Sequence, residues 1–254
     1  MRSAMPSASA TTALLGIWHD VEDSYVEEYL RWHSFEHLPE RLALPGFVSA
    51  ERHELIEGPG QRFCCFLDVK DREAFRSPDY QARLDSPTEW TRRLMPRYSR
   101  IHRALCEKRW EMGTGLSGVS ACIRIASNGD ETLRTQLHKI CSDLLEQQAI
   151  ARARLGEIDQ VLTNIESEEK RLRRNEDAGG YDLVLLVEGL SVPAMRSTVH
   201  SLAAVPLAQK LCHEASIYSL SFSLRSAGQF AQWPASNGRP FDSEWFCHQG
   251  RLTY

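Results

Sequence analysis

Histidines and carboxylates lie close together in the segment 29–47, and this is where the chain could do chemistry. His33 and His37 are four residues apart, so on an α-helix their side chains point the same way and could share a pocket. Histidine suits proton abstraction and return near neutral pH. We therefore predict that His37 is a general base, that Glu36 orients its imidazole, and that His33 or His19 returns the proton or polarises an oxygen.

Simpler interpretations exist for the same residues. His37 could cap the end of a helix that Pro39 terminates, with its charged form favoured by the helix dipole. Glu36 could be a surface carboxylate that pairs with an arginine. Arg41 could bind an anionic group of a substrate or form a structural ion pair. The sequence leaves these alternatives open.

Residues 33–37 also match H-x-x-E-H, a signature in which two histidines bind zinc and a glutamate activates water. The position at a helix end before Pro39 argues against zinc, and His19 is the third ligand to test if metal binds. No CxxCH haem-attachment signal occurs. We expect no cofactor, while haem or a divalent metal stays an alternative.

Several large side chains near these residues could hold a substrate. Aromatic residues in such elements could wall a pocket for an aromatic or polycyclic compound, although plain core packing is the common alternative. The predicted substrate-binding residues are Arg41, Trp18, Trp32, Trp90 and Tyr98.

Composition excludes several classes of function. The 254 residues are 42% hydrophobic, and 30 basic against 34 acidic side chains give a formal charge of -4. No long cationic run is present, so we expect neither nucleic acid nor membrane as a partner. The short apolar run 14–18 predicts no signal peptide, and seven cysteines without CxxC spacing suggest reduced thiols in a cytoplasm. Triphosphate and acyl-serine motifs are absent from the sequence.

Hydrophobic periodicity predicts an α+β chain with the element order βαββαβ occurring twice. In the first unit we predict strands at 14–19, 47–55, 62–69 and 101–106, with helices at 24–37, 71–75 and 87–95. In the second we predict strands at 119–125, 151–158, 181–188 and 216–224, with helices at 131–147 and 192–201. The chain is then a tandem of duplicated ferredoxin-like units that form an α/β barrel within one chain.

The predicted domains are 1–112, 113–225 and a tail, 226–254, that packs on the barrel. Only the first unit carries the histidine constellation, since the corresponding place in the second has Gln147 and no proline. The charged stretch 164–175 is most simply a solvated loop or a frayed helical extension.

The segment from Trp32 to Phe47, with its Glu-His-Leu-Pro-Glu-Arg-Leu and Leu-Pro-Gly-Phe runs, resembles the EthD-like family of dimeric α/β-barrel proteins. His37 matches the recurring Glu-His pair of that group. The resemblance implies two ferredoxin-like sheets joined as a barrel, with a pocket between a sheet and its helices. Related barrels include lactone isomerases, polyketide cyclases, dehydratases, cofactor-free oxygenases, haem enzymes and members without known activity.

We therefore expect a cofactor-independent lyase or isomerase that uses histidine general acid/base catalysis. Its substrate would be a hydrophobic carbonyl, lactone or phenolic small molecule, and a homodimer is left open. One alternative is a haem- or metal-dependent barrel enzyme. Another is a non-catalytic accessory protein that binds a small molecule or recruits a partner through exposed sheet edges.

Overall fold

Eight antiparallel strands close into one barrel, in the order β1-β3-β2-β8-β5-β7-β6-β4. The computed structural model describes residues 11–173, 180–203 and 215–226. The strands are β1 Ala13–Val21, β2 Phe47–Glu57, β3 Phe63–Val69, β4 Tyr98–Gly113, β5 Val119–Ile125, β6 Arg152–Ile158, β7 Leu183–Gly189 and β8 Ser216–Arg225. The α-helices lie outside: α1 Val26–Trp32, α2 Leu38–Leu42, α3 Pro78–Asp85, α4 Glu89–Leu94, α5 Glu131–Glu146, α6 Gln160–Thr163, α7 Glu168–Leu172 and α8 Val192–Ala203.

The two halves repeat one topology. The first half has the strand order β4-β1-β3-β2 and the second has β8-β5-β7-β6, which is the ferredoxin-like arrangement used twice. Strand β2 pairs with β8 and β4 pairs with β6, and these two seams close the barrel. The predicted fold, tandem ferredoxin-like units in one barrel, is confirmed.

Local signals explain most helix starts and also the differences from prediction. The Asp130 carboxylate caps α5 by accepting from the N–H groups of Thr132 and Leu133. Ser77 caps α3, which lies between the predicted helices 71–75 and 87–95. The helix predicted from residue 24 begins instead with a 3₁₀ turn, Asp23–Tyr25, and α1 follows it without a side-chain cap among the described residues.

Strand alternation separates the barrel interior from the outer layer. On β1, Leu14 and Trp18 point inward, where they join an apolar cluster with Phe66 of β3. Leu15 of the same strand belongs to the cluster between the first sheet and its helices. A third cluster fills the space between the second sheet and α5 and α8. Each half therefore has its own outer core, and the interior is shared.

Part of the barrel interior is charged. The guanidinium of Arg154 on β6 contacts three carboxylates: Nη1 lies 2.9 Å from Asp68 Oδ2, and Nη2 lies 3.2 Å from Glu51 Oε2 and 2.8 Å from Glu188 Oε1. Glu51 and Asp68 belong to the first half, whereas Arg154 and Glu188 belong to the second. Burial would raise the pKa of Glu51, but the His53 imidazole, 3.6 Å from the carboxylate, and the charge of Arg154 outweigh it and lower that pKa to about 2.

The predicted tail 226–254 lies, beyond Ser226, outside the described residues, as do residues 174 and 175 of the charged stretch. Within the described ranges, no helix is long and apolar enough to cross a membrane. The domain limits 112/113 and 225/226 stay predictions.

Replacing Arg154 by Ala should lower the free energy of unfolding by about 3 to 5 kcal/mol, because three buried carboxylates lose a shared partner. Chemical denaturation of the purified protein measures this. The control is Arg109→Ala, which removes a half-exposed arginine paired with Glu157 and should cost about 0 to 1 kcal/mol. Equal, small losses in both variants would contradict the role assigned to Arg154.

Candidate active site

A cavity of about 40 Å³ lies in the first half, between the outer face of the sheet and the helical segment that follows β1. Apolar side chains from both layers form one part of its wall, and titratable side chains form the other. The lining residues that the argument uses are His19, His33, His37, Arg41, Tyr98 and Glu169.

A π-helical turn, His33–His37, connects α1 to α2 and presents both histidines to the sheet. The N–H of Leu38 donates to the carbonyl of His33, five residues back, which is the hydrogen bond of a π-helix. The two imidazole centroids are 5.6 Å apart. The predicted helix end at Pro39 is wrong: Pro39 lies in the first turn of α2, and the chain stays helical through it.

His37 is buried, and its ring lies 4.4 Å from that of Trp32, centroid to centroid. Its Nδ1 is buried and has no hydrogen-bond partner among the described residues. Burial and the charge of Arg41 hold the pKa of His37 well below its usual range, so the ring is neutral. A neutral, unpaired imidazole nitrogen at a cavity can accept a proton or a hydrogen bond from a ligand.

His33 is engaged on both sides of its ring. Arg52 Nη1 lies 3.4 Å from Nδ1, and Cys65 Sγ lies 3.6 Å from Nε2. Arg52 also donates to the Ser34 hydroxyl and the Leu30 carbonyl, so its position against the helix is fixed. Burial and the Arg52 charge hold the pKa of His33 well below its usual range. His33 therefore has less freedom than His37 to contact a ligand.

His19 faces the cavity from β1. Its ring is stacked on Tyr98, 4.2 Å between centroids, and its Nε2 lies 3.0 Å from the hydroxyl of Tyr29. Its Nδ1 is buried and unpaired. Burial, with the charges of Arg52 and Arg173, lowers the pKa of His19 to about 3.

An irregularity in β4 lies opposite His19. The register between β1 and β4 shifts between Trp18 and Asp20, and Arg100 takes a φ of 48° there. Bulges of this kind re-aim side chains next to functional sites.

Arg41 forms a buried ion pair with Glu169, which belongs to α7 in the second half. The Nη1 atom of Arg41 remains buried without a partner. Ser167 caps α7, and Leu172 packs against the first-half cluster around Tyr29. This part of the charged stretch is therefore not the solvated loop that its composition predicted.

Three predicted site residues lie elsewhere than expected. Trp18 is in the barrel interior, because it lies on the opposite face of β1 from His19. Trp90 donates to Glu28 at a distance from the cavity lining. The carboxylate of Glu36 accepts hydrogen bonds from Trp32 and Thr88, which is a different geometry from the predicted orientation of His37.

Trp32, predicted to bind substrate, supports the His37 ring from behind rather than lining the cavity. Tyr98 and Arg41 do line it, together with His19, His33 and His37. The structure thus brings together five of the nine predicted site residues.

Sequence analysis missed the residues that hold the histidines. Arg52 and Cys65 lie on predicted strands. Because successive strand residues face opposite sides of the sheet, their positions could have predicted that both face the helices. Tyr29 lies one helical turn before His33 and was noted only as part of the apolar face. Nothing local distinguishes Glu169, because its partner is 128 residues away.

The residues present do not fit zinc or haem. Both ring nitrogens of His33 are engaged, and Glu36 bonds to Trp32 and Thr88. In the described part of the chain, no three His, Cys, Asp or Glu side chains are grouped to hold a metal ion. A haem requires a pocket of about 300 Å³ or more, far above the cavity beside these histidines.

The second half has no counterpart of this constellation among its described residues. Where the first half has histidines, the sheet and α5 of the second half bury aliphatic side chains such as Ile123, Leu137 and Leu185. The cluster of buried histidines therefore occurs in the first half only, as the sequence predicts, while Glu169 and Arg173 of the second half also line its cavity.

Comparison with solved structures shows which folds are similar. An anthrone oxidase-like protein aligns with a TM-score of 0.58 at 9% identity, over 87% of this chain and 95% of that one. A protein of Lactobacillus acidophilus named as a monooxygenase aligns with a TM-score of 0.50 at 7% identity, over 85% and 97%. A chlorite dismutase variant from Candidatus Nitrospira defluvii gives 0.49 at 11% identity, over 88% and 97%.

The first two likenesses support the fold, a barrel of ferredoxin-like units, and none carries further meaning at such identities. No protein-family model matches the chain. No curated protein matches it either.

Because His19 is neutral in the folded protein, the free energy of unfolding decreases as the pH is lowered. Below 6.5 the unfolded chain protonates this residue while the folded protein does not until about pH 3, so acid favours unfolding. Replacing His19 by Asn should flatten the dependence of the unfolding free energy on pH by about 1.4 kcal/mol per pH unit between pH 6 and 4. Urea denaturation across that range measures the two slopes, and identical slopes would mean that His19 is protonated in the folded protein.

Proposed function

We propose that the chain is a cofactor-independent enzyme that abstracts and returns a proton on a small hydrophobic carbonyl, lactone or phenolic compound. The reaction classes that follow are isomerisation, cyclisation and elimination, as in lyases and isomerases. His37 is the base. Arg41 stabilises the oxyanion that forms.

One observation carries this proposal. Three buried polar atoms without partners, His37 Nδ1, His19 Nδ1 and Arg41 Nη1, belong to residues that line the same cavity. Leaving a buried polar group unpaired costs about 1–3 kcal/mol, so such groups are explained by a ligand or water that satisfies them. A ligand that contains oxygen suits this set of atoms: His37 Nδ1 can accept, His19 Nδ1 is a second ring nitrogen, and Arg41 Nη1 is a cationic donor.

The charge of the cavity favours the deprotonated form of such a ligand. Three arginines, Arg41, Arg103 and Arg173, and one carboxylate, Glu169, line the cavity. A developing enolate or phenolate is therefore stabilised as the proton moves to His37. The proton then returns from His37 to another atom of the same molecule, so no external reductant or oxidant takes part.

The cavity, about 40 Å³, is smaller than a single ring, so we propose compounds with one ring that enter by displacing the side chains lining it. Apolar side chains face the polar groups and can contact the ring; they include Leu15, Ile17, Leu38, Leu67 and Leu84. Membership of the EthD-like family, the domain limits named above, a cytoplasmic location and a homodimer belong to the same proposal. The closed barrel offers no free sheet edge among the described strands, which disfavours partner recruitment by strand addition.

His37→Gln should reduce proton transfer by about two to four orders of magnitude while the fold is retained. The measurement is exchange of substrate C–H for deuterium in D₂O, followed by NMR over a panel of monocyclic lactones, enones and phenols. The panel is run with and without dioxygen, because similar folds carry oxidase and monooxygenase names.

The control variant is His138→Gln, which changes a histidine packed on Trp110 in the second half. It should exchange at the wild-type rate. A His37→Gln protein with full activity on a substrate of the panel would remove His37 as the base.

The rate should stay constant as the pH falls through 6.5. An ordinary histidine base loses activity there, but His37 remains neutral because burial and Arg41 lower its pKa. The acid limb of the kcat/KM profile, which reports the free enzyme, should therefore lie well below pH 6.5. A midpoint near 6.5 in wild type, absent from His33→Asn, would assign the titrating group to His33 instead.

A further inference from the structure

A chain of five polar side chains runs behind the cavity from β2 to β1. Arg52 contacts His33 at 3.4 Å, His33 contacts Cys65 at 3.6 Å, and Cys65 contacts the Tyr29 hydroxyl at 3.9 Å. Tyr29 then contacts His19 Nε2 at 3.0 Å. All these contacts are buried. The last free atom of the chain is His19 Nδ1, which has no partner among the described residues.

The direction of these hydrogen bonds follows from the group at the first position. A guanidinium only donates, so His33 Nδ1 accepts from Arg52 and its proton is on Nε2. That N–H donates to the sulfur of Cys65. Either atom of the contact between Cys65 and Tyr29 could donate. Because the sulfur already accepts from His33, we assign the thiol proton to this contact, and the tyrosine hydroxyl then donates to His19 Nε2.

The two groups in the middle keep their protons. Burial raises the pKa of the Cys65 thiol to about 12 and raises that of Tyr29 well above its usual value. Each therefore gives one hydrogen bond and accepts one, and the chain has a single direction. The proton of His19 is then on Nδ1.

We propose that the chain from Arg52 fixes His19 as the Nδ1–H tautomer, and that this N–H donates a hydrogen bond to the oxygen of the bound ligand. Arg52, Cys65 and Tyr29 are positioning residues in this arrangement. The role toward the ligand rests on the proposed function above, whereas the tautomer does not.

Donation by a neutral imidazole divides the chemistry between two histidines. His37 accepts the proton from the ligand, and His19 stabilises the charge left on the ligand oxygen without giving up its own proton. Stacking on Tyr98 holds the plane of the His19 ring. Two similar residues thus take different roles because only one of them lies at the end of a directed chain.

Long-range proton–nitrogen NMR of ¹⁵N-histidine-labelled protein tests the tautomer. Wild type should show a protonated Nδ1 at His19 and a protonated Nε2 at His33, with signals assigned by loss in His19→Asn and His33→Asn. Tyr29→Phe should give mixed tautomers at His19 and leave His33 unchanged. Arg52→Met should give mixed tautomers at His33. Arg52→Lys keeps a hydrogen-bond donor and should therefore keep the proton of His33 on Nε2.

The matched control is Tyr25→Phe, which removes a hydroxyl from a tyrosine outside the chain and should change neither histidine. Circular dichroism confirms that each variant is folded. A wild-type His19 protonated on Nε2 would overturn the inference, as would a Tyr29→Phe protein with an unchanged His19 signal.

Titration with phenol tests the role toward the ligand. The Hδ1 resonance of His19, assigned by its loss in His19→Asn, should shift on saturation with phenol. Absence of that shift in wild type overturns the role as donor. A shifted resonance in a protein that exchanges no proton on any panel compound would retain this inference and remove the proposed function.

Discussion

The salt bridges of Arg154 inside the barrel constrain the site outside it. Glu51 of β2 and Asp68 of β3 must point inward to reach this guanidinium from the second half. Because neighbouring residues of a strand face opposite sides, Arg52 then points outward to the histidines, and so does Cys65, an odd number of residues before Asp68. A shift of the strand register by one residue would exchange the inward-facing and outward-facing side chains. The charged interior and the histidine cavity are therefore two results of one pairing.

The electrostatics of the cavity follow from burying imidazoles next to arginines. Burial alone favours the neutral ring, and the nearby guanidinium groups add to this effect at His19, His33 and His37. A histidine in this surrounding is a weak base in its resting state. It becomes effective when a ligand brings negative charge into the cavity, because that charge compensates the arginines and stabilises the imidazolium. The arrangement thus couples proton transfer to the presence of the ligand.

Much of this structure was predictable from sequence, and the remainder has identifiable causes. Periodicity gave the eight strands and the duplication, since alternation and helical spacing are local properties. The spacing of His33 and His37 gave their common face. The position of Trp18 was predicted wrongly because it was assigned to the pocket for its large aromatic side chain. The alternation of side chains along β1 places it on the opposite face from His19. The pairing of Arg41 with Glu169 depends on a contact between the two halves, for which single-sequence patterns contain no signal.

The π-helical turn between α1 and α2 adds one residue to what an α-helix would need to cover the same rise. Without that residue, everything after it would rotate by about 100° around the helix axis. Leu38, Pro39 and Arg41 would turn away together, and the guanidinium would leave its carboxylate on α7. Deleting one residue within 33–37 would therefore rotate the cavity-lining residues of α2 away from the cavity. The number of residues in this turn thus determines which side chains a bound ligand contacts.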